Sequence, residues 1–294
     1  MKSGLTKHDK QPTVRQSKLP HGRLVRKTAR RRQLTVGTNR SQAWIFSSRP
    51  LALWTMRMLF LLVLLGLLEV AVKTRVLNPF FIPAPSDFLS QVVLNLFDPT
   101  FLMYTVVTLI EVLVAFAASA ILGTGIGFLL WRFKTIGKAY EPLVAALFGS
   151  PIVLFYPVFI IFFGRTPLAI VVLATVTASL PIILFTQQAL AGVGSTILKV
   201  GASLKLSEWS TFRHILIPAA APTIFTGLRI GLTYVLIVII STEYILQIGG
   251  LGNFIAEVSL MFRANDLYAG VTLVVAMSAL FVALTYKLEK LVRK

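Results

Sequence analysis

The chain has no cysteine, three histidines and eleven acidic residues against twenty-nine Lys and Arg. Without cysteine, disulfides, thiolate nucleophiles and Cys-ligated metals are excluded together. Two of the histidines, His8 and His21, lie in a basic N-terminal stretch, and His214 stands alone further on. HExxH, GxSxG and phosphate-loop patterns are all missing, so the residues offer no footing for catalysis, a metal or a cofactor. Charge is scarce as well. Only 14% of residues are charged while 56% are apolar, and the mean hydropathy is +0.79. Too little charge is present to clothe a soluble surface, so the natural exterior is lipid.

Six apolar stretches are long enough to cross a bilayer as helix, which takes about 20 residues. They cover roughly 51–72, 101–131, 142–163, 167–190, 222–246 and 267–286. The basic residues between them alternate in density. Arg132, Lys134 and Lys138, then Lys199, Lys205 and Arg213, then Lys287, Lys290, Arg293 and Lys294 fall on one side. The opposite loops hold only Lys73 and Arg75, Arg165, and Arg263. The positive-inside rule orients this set with both termini in the cytoplasm. The fold class expected is therefore all-α, a polytopic membrane protein of about six transmembrane helices. Residues 1–50 carry thirteen Lys and Arg against Asp9. They read as a basic disordered cytoplasmic tail lying on anionic headgroups rather than a nucleic-acid-binding segment, with an organellar transit peptide as an alternative. The expected organisation is this tail, a first span with an external interfacial helix over 51–100, and a core transmembrane domain over 101–294.

Several residues invite individual readings. Each intramembrane acid costs about 2.5–3.5 kcal/mol near the bilayer centre, so each needs a partner or a wet cavity. Glu69 has Lys73 four residues on and predicts an interfacial ion pair. Glu111 is placed to face a bundle interior. Glu243 precedes the helix-breaking run Ile248 to Asn253 and is expected either to shape a pathway or its outer gate, together with Gly250 and Gly252, or to cap a local hydrogen-bond network. It is not expected to carry protons, since no second carboxylate stands near it in sequence. Ser150 to Pro157 puts Pro151 and Pro157 inside the third span, and Pro151, Phe155 and Pro157 are candidate pathway wall. Gly123 and Gly127 form a Gly-x-x-x-Gly pair suited to close helix packing. After Pro83-Ala84-Pro85, Ser86 reads as the N-cap of a short amphipathic helix through Phe88, Leu89, Val92 and Leu96.

The most telling segment lies between the fourth and fifth spans, KVGASLKLSEWSTFRHILIP over residues 199–218. Its apolar residues Val200, Leu204, Leu206, Trp209 and Phe212 interleave with charge. A helix, a turn and a second short helix would present Leu204 and Trp209 to a partner's groove. Pro218 and Pro222 suit the start of the fifth span.

This region resembles the cytoplasmic coupling loop of ABC importer permeases of the binding-protein-dependent type, in the nitrate, sulfonate and taurine branch. The family pattern is E-A-A, three residues, Gly, nine residues, then I-x-L-P. Registered on Ile215 to Pro218, it puts Lys199, Val200 and Gly201 at the E-A-A positions and Lys205 at the Gly. Glu141-Pro142, Pro151, Pro157, Phe163-Gly164, Glu243 and Gly250-Leu251-Gly252 are also similar to the family, as is the Ile82-Pro83-Ala84-Pro85-Ser86 run. Two departures stand out. Lysine replaces the usual Glu at Lys199 and the usual Gly at Lys205, where lysine is expected to resist the positive-φ backbone that glycine permits. An atypical coupling interface is the expectation, with a heterodimer whose other permease keeps the usual motif as one way to accommodate it and a homodimer as the other.

The resemblance implies the type I importer permease fold in the bacterial inner membrane. It implies two ATP-binding subunits, a second permease subunit, identical or different, an external solute-binding protein and surrounding lipid, with no nucleic acid. The coupling loop would span 191–218, with Lys199, Val200, Gly201, Leu204, Lys205, Leu206, Trp209, Phe212, Arg213 and Pro218 meeting the ATPase. The solute would be a small anion such as nitrate, a sulfonate or taurine, with pyrimidine vitamin precursors as an alternative. Hydrolysis of ATP would fall to the partner, since this chain is no enzyme. Two other classes compete, an ion-coupled secondary carrier and a membrane scaffold without transport.

Overall fold

The computed structural model describes residues 50–194 and 203–292, and every regular element among them is helical. The basic tail, Lys199, Val200 and Gly201 fall outside the described residues. From Met56 onward the chain packs as one unit.

Helix α1 (Pro50–Lys73) is apolar apart from Arg57 and the charged pair at its end, and Met56 to Leu67 are exposed on every side. Such a helix is stable only against hydrocarbon or other helices. At its end Glu69 meets Lys73, with Nζ 2.6 Å from Oε1. The same carboxylate accepts from the Ser86 hydroxyl at 2.7 Å and the Ser86 N–H at 3.0 Å. Ser86 is thus not the N-cap that its sequence context suggests. The short helix α2 (Pro85–Asn95) has Ala84 at its N-cap and starts two residues earlier, because Pro85 arrives with φ preset and no N–H to satisfy. Phe88 of α2 is buried, with its ring 5.9 Å from that of Tyr268.

Helix α3 (Pro99–Arg132) begins at Asp98, whose side chain accepts from the Thr100 N–H at 2.9 Å. Its 34 residues extend about 51 Å, more than a bilayer core requires. The stretch expected as a third span is instead two helices, α4 (Lys134–Phe148) and α5 (Tyr156–Phe163), which bend by 85° across a break. Pro151 and Pro157 withhold amide donors at the break, and a single turn of 3-10 helix, Ile152–Phe155, bridges it. Five described helices are long and apolar enough to span a membrane, or six if the bent pair counts as one crossing.

Helix α6 (Pro167–Ala191) is the axis of the bundle. Leu173, Ala174, Ala178 and Ile182 are fully buried between α3 and α8 (Ile217–Leu246). Two glycine pairs make this approach possible. A Cβ on Gly123 would lie 2.6 Å from Ile182 Cβ, and one on Gly127 would lie 2.7 Å from the Ile183 carbonyl oxygen. From the other side, a Cβ on Gly227 would meet Phe185 Cβ at 2.5 Å, and one on Gly231 would meet Ile182 Cδ1 at 2.6 Å. Both pairs are Gly-x-x-x-Gly, and together they clasp one turn of α6. Gly127→Val should therefore push α3 off α6 and lower the melting midpoint of the detergent-purified protein. Gly125→Val, in open space, should leave it unchanged.

Two short helices complete the chain's second half. Glu208–Thr211 forms α7, and a single π-helical turn over Phe212–Leu216 joins it to α8, so that Glu208–Leu246 is one continuous helical stretch of 39 residues. The π turn has a local cause. Pro218 lacks an N–H and its ring crowds the carbonyl four residues back, so Ile217 bonds five residues back to Phe212. The fifth span thus starts well before Pro222, which sits inside the helix. After α8 the chain breaks only over Gln247 to Gly249, then forms α9 (Gly250–Leu260) and finally α10 (Ala264–Val292). The sequence pattern read this glycine-rich run as a helix breaker and missed α9.

Candidate functional site

The segment from Leu204 to Pro218 projects from one end of the bundle. Leu204 is 64% exposed and Trp209 68%, while Lys205, Leu206, Glu208, Arg213 and Pro218 are exposed too. Ser207 caps α7, its hydroxyl accepting from the Ser210 N–H at 3.2 Å. Trp209 stacks on Phe212 at 5.6 Å, Phe212 meets Phe128 edge-on at 5.4 Å, and Phe128 lies 5.7 Å from Trp131. This aromatic ladder fixes the segment onto the end of α3 while leaving the outer face of the indole free. An open cavity of about 780 Å³ beside it is lined by Phe128, Trp131, Arg132, Leu206, Trp209 and Leu216, among others.

Lys205 corrects an expectation. It adopts φ 50°, the left-handed backbone that lysine was expected to resist. An L-residue there costs about 1–2 kcal/mol relative to the right-handed form, a cost one tight turn can absorb. The lysine therefore keeps the turn and adds a cation to its surface.

At the far end of α8 the glycines take on meaning. Glu243 is fully buried. Its Oε1 accepts from the Thr108 hydroxyl at 2.7 Å and its Oε2 from the Gly252 N–H at 2.8 Å. Thr108 in turn accepts from the Leu251 N–H at 2.7 Å. The first turn of α9 thus finds its caps on two other helices, α3 and α8. A Cβ on Gly250 would stand 2.0 Å from Glu243 Oε1, and Gly249 and Gly250 both have positive φ. Glycine is required here by space and by backbone alike.

Glu111 lies against Glu243, its Oε2 buried without a hydrogen-bond partner among the described residues. The absence of a second carboxylate near Glu243, inferred from spacing, is overturned: α3 and α8 bring one to it. Further along, Tyr104 donates to Glu257 Oε2 at 3.1 Å and Asn253 Nδ2 donates to its Oε1 at 2.9 Å. Phe254 meets Phe101 at 4.9 Å. Helix α9 therefore runs antiparallel to the first turns of α3.

The candidate pathway residues do not converge. Pro151, Phe155 and Pro157 are exposed on the bent α4–α5 segment, whereas Glu243, Gly250 and Gly252 are buried at the α8–α9 junction. Sequence reading also missed two anchors. Arg165 donates through Nε to the Leu246 carbonyl at 2.9 Å, capping α8. Arg229, the one cation within α8, is bonded to Glu289 of α10 and lies 3.6 Å over the ring centre of Tyr286. The lone Arg in an apolar span was the signal available for the second.

Several apolar helices around a buried axis, with an exposed aromatic segment at one end, define a multi-pass helical membrane protein. Residues 119–294 match the family described as the binding-protein-dependent transport system inner membrane component, and the chain belongs to that family. The nitrate import permease NrtB of Synechocystis is 32% identical over 148 residues, covering 50% of this chain and 54% of NrtB. The chain thus aligns with about half of that relative's length. The taurine transport permease TauC of Escherichia coli is 23% identical over 222 residues, 73% of this chain and 80% of TauC. A chain of the MetNI methionine ABC transporter in an inward-facing conformation superposes with a TM-score of 0.56 at 18% identity, over 64% of this chain and 94% of that one. That likeness carries the fold. The family and the apolar helices agree on a multi-pass protein of the bacterial inner membrane.

Proposed function

We propose that the chain is the permease subunit of an ATP-driven importer, working as a pair with two ATP-binding subunits and an external solute-binding protein. The observation that carries this reading is the exposed Leu204–Trp209 surface, a turn leading into a helix that is continuous with a membrane span. An indole two-thirds exposed at the end of a membrane helix is a docking element in waiting for a soluble partner. Nucleotide closure would draw the docked segments together and tilt α8 with them, and hydrolysis would stay on the partner. The solute is a small anion, in keeping with relatives named for nitrate, taurine and bicarbonate. Since Lys205 keeps the turn but changes its charge, the ATPase surface opposite should carry acid where it meets this turn.

The test is uptake into vesicles holding the assembled transporter. Labelled nitrate or taurine, with the cognate binding protein outside, should accumulate with ATP within and fail to accumulate on a proton or sodium gradient alone. Gradient-driven uptake without ATP would favour an ion-coupled carrier and overturn the proposal. The cysteine-free background allows a second check: Trp209→Cys should react with an impermeant maleimide from the ATPase side alone.

A further inference from the structure

Resting on that reading, we infer that Glu243 is a positioning residue, the latch that makes α9 follow α8 when the coupling segment moves. Three observations carry the inference. First, α7, the π turn and α8 are continuous, so Trp209 and Glu243 sit at opposite ends of one helical rod. From Phe212 to Glu243 the rod measures about 45 Å at 1.5 Å per residue. Second, α9 has no side-chain cap of its own, since Gly249 precedes it. The N–H groups of Leu251 and Gly252 are satisfied instead by Thr108 and Glu243. Third, the hydrogen-bond directions are fixed. The Leu251 N–H can only donate, so Thr108 accepts from it and turns its own proton to Glu243 Oε1, while Gly252 donates to Oε2. Both carboxylate oxygens are engaged at one point where α3, α8 and α9 meet.

This arrangement has mechanical consequences. Gln247 to Gly249 forms a joint, with three consecutive residues outside helix and two of them at positive φ. Left to that joint, α9 could pivot as α8 tilts. The Glu243 carboxylate bypasses it, gripping α9 at Gly252, three residues beyond the break. Gly250 and Gly252 are the positions that let the grip close, because a Cβ on Gly250 would occupy the space of the carboxyl group and one on Gly252 would stand 2.3 Å from the Ile240 carbonyl oxygen and 2.7 Å from Glu243 Cβ. Helix α9 carries Asn253 and Glu257, which form a polar cluster with Tyr104 of α3 at the end of the bundle away from Trp209. The latch thus converts movement at the motor end into movement of α9 against α3. Glu243 touches no solute here, being fully buried.

The experiment uses the assembled transporter in lipid nanodiscs and vesicles, measuring uptake and ATP hydrolysis together. Glu243→Ala should hydrolyse ATP within twofold of the parent rate while uptake per ATP falls at least tenfold. Thr108→Val should shift the same ratio in the same direction by less. Glu243→Gln should restore part of it, because the amide oxygen still accepts from Gly252. Spin labels at Met103→Cys on α3 and Leu260→Cys on α9, in chains diluted with unlabelled copies, should show one narrow distance that Glu243→Ala broadens. Unchanged uptake per ATP in Glu243→Ala, loss of uptake and hydrolysis in equal proportion, or an unbroadened distance would each overturn the latch. Should Glu243→Ala fail to assemble, Thr108→Val decides the question by the same ratio. A failure of the latch alone leaves ATP-driven uptake by the parent intact, whereas absence of that uptake strikes the importer reading itself.

Discussion

Trp209→Asp is expected to abolish solute uptake while leaving the permease folded and inserted. The indole is 68% exposed, and its inner face rests on Phe212 rather than in the core. Removing it therefore costs the isolated chain little. At a docked interface the same ring would be fully desolvated, and an aromatic anchor of this kind is worth about 2–4 kcal/mol, a thirtyfold to several-hundredfold change in affinity. An aspartate adds the cost of burying a carboxylate where an apolar ring should sit. Hydrolysis should lose its stimulation by the binding protein, and the ATPase should no longer co-purify with the membrane subunit. Trp209→Phe keeps the stack on Phe212 and should retain a measurable fraction of uptake. Leu204→Ala removes less apolar area than loss of the indole and should give a weaker defect. Normal uptake in Trp209→Asp would remove the docking role altogether.

How much of this was legible beforehand follows from the range over which each signal acts. The long spans were visible because about twenty apolar residues in a row are a local property that lipid alone enforces. The Glu69–Lys73 pair was visible for the same reason, four residues being one helical turn. The exposed Trp209 surface was legible from its interleaved charge. What escaped was set by contacts between distant positions. Thr108 and Glu243 lie 135 positions apart, and nothing near either one announces the other. The same holds for Glu111 beside Glu243, so an argument from spacing wrongly left Glu243 without a neighbouring acid. Helix α9 escaped because its opening Gly-Leu-Gly has low intrinsic helix propensity. Its stability comes from burial of Leu251, Ile255 and Val258 and from caps borrowed from α3 and α8. Ser86 illustrates the opposite failure, a sound local signal overruled by a carboxylate that arrived from another helix. Lys205 shows that a propensity of about 1–2 kcal/mol bends to a turn that the rest of the segment demands.

The Arg229–Glu289 pair supplies the second large effect. Arg229 Nη2 donates to Glu289 Oε2, the guanidinium lies over Tyr286, and each charged side chain is 19% exposed. The contact joins α8 to α10 across 60 positions of sequence. Arg229→Ala would leave the Glu289 carboxylate mostly buried and unpaired, and breaking a buried pair from one side typically costs about 3–5 kcal/mol. Partial exposure places the expected loss at the lower end of that range. Replacing both partners, as Arg229→Met with Glu289→Leu, deletes two desolvated charges at once and should recover most of the loss. The thermal midpoint of the purified transporter should therefore fall by several degrees in Arg229→Ala and return toward the parent in the double variant. Arg229→Lys should be intermediate, keeping the charge but losing the planar stack on Tyr286. If the double variant were as unstable as the single one, the pair would be incidental, and packing of the aliphatic stem of Arg229 would be what holds α10 against α8.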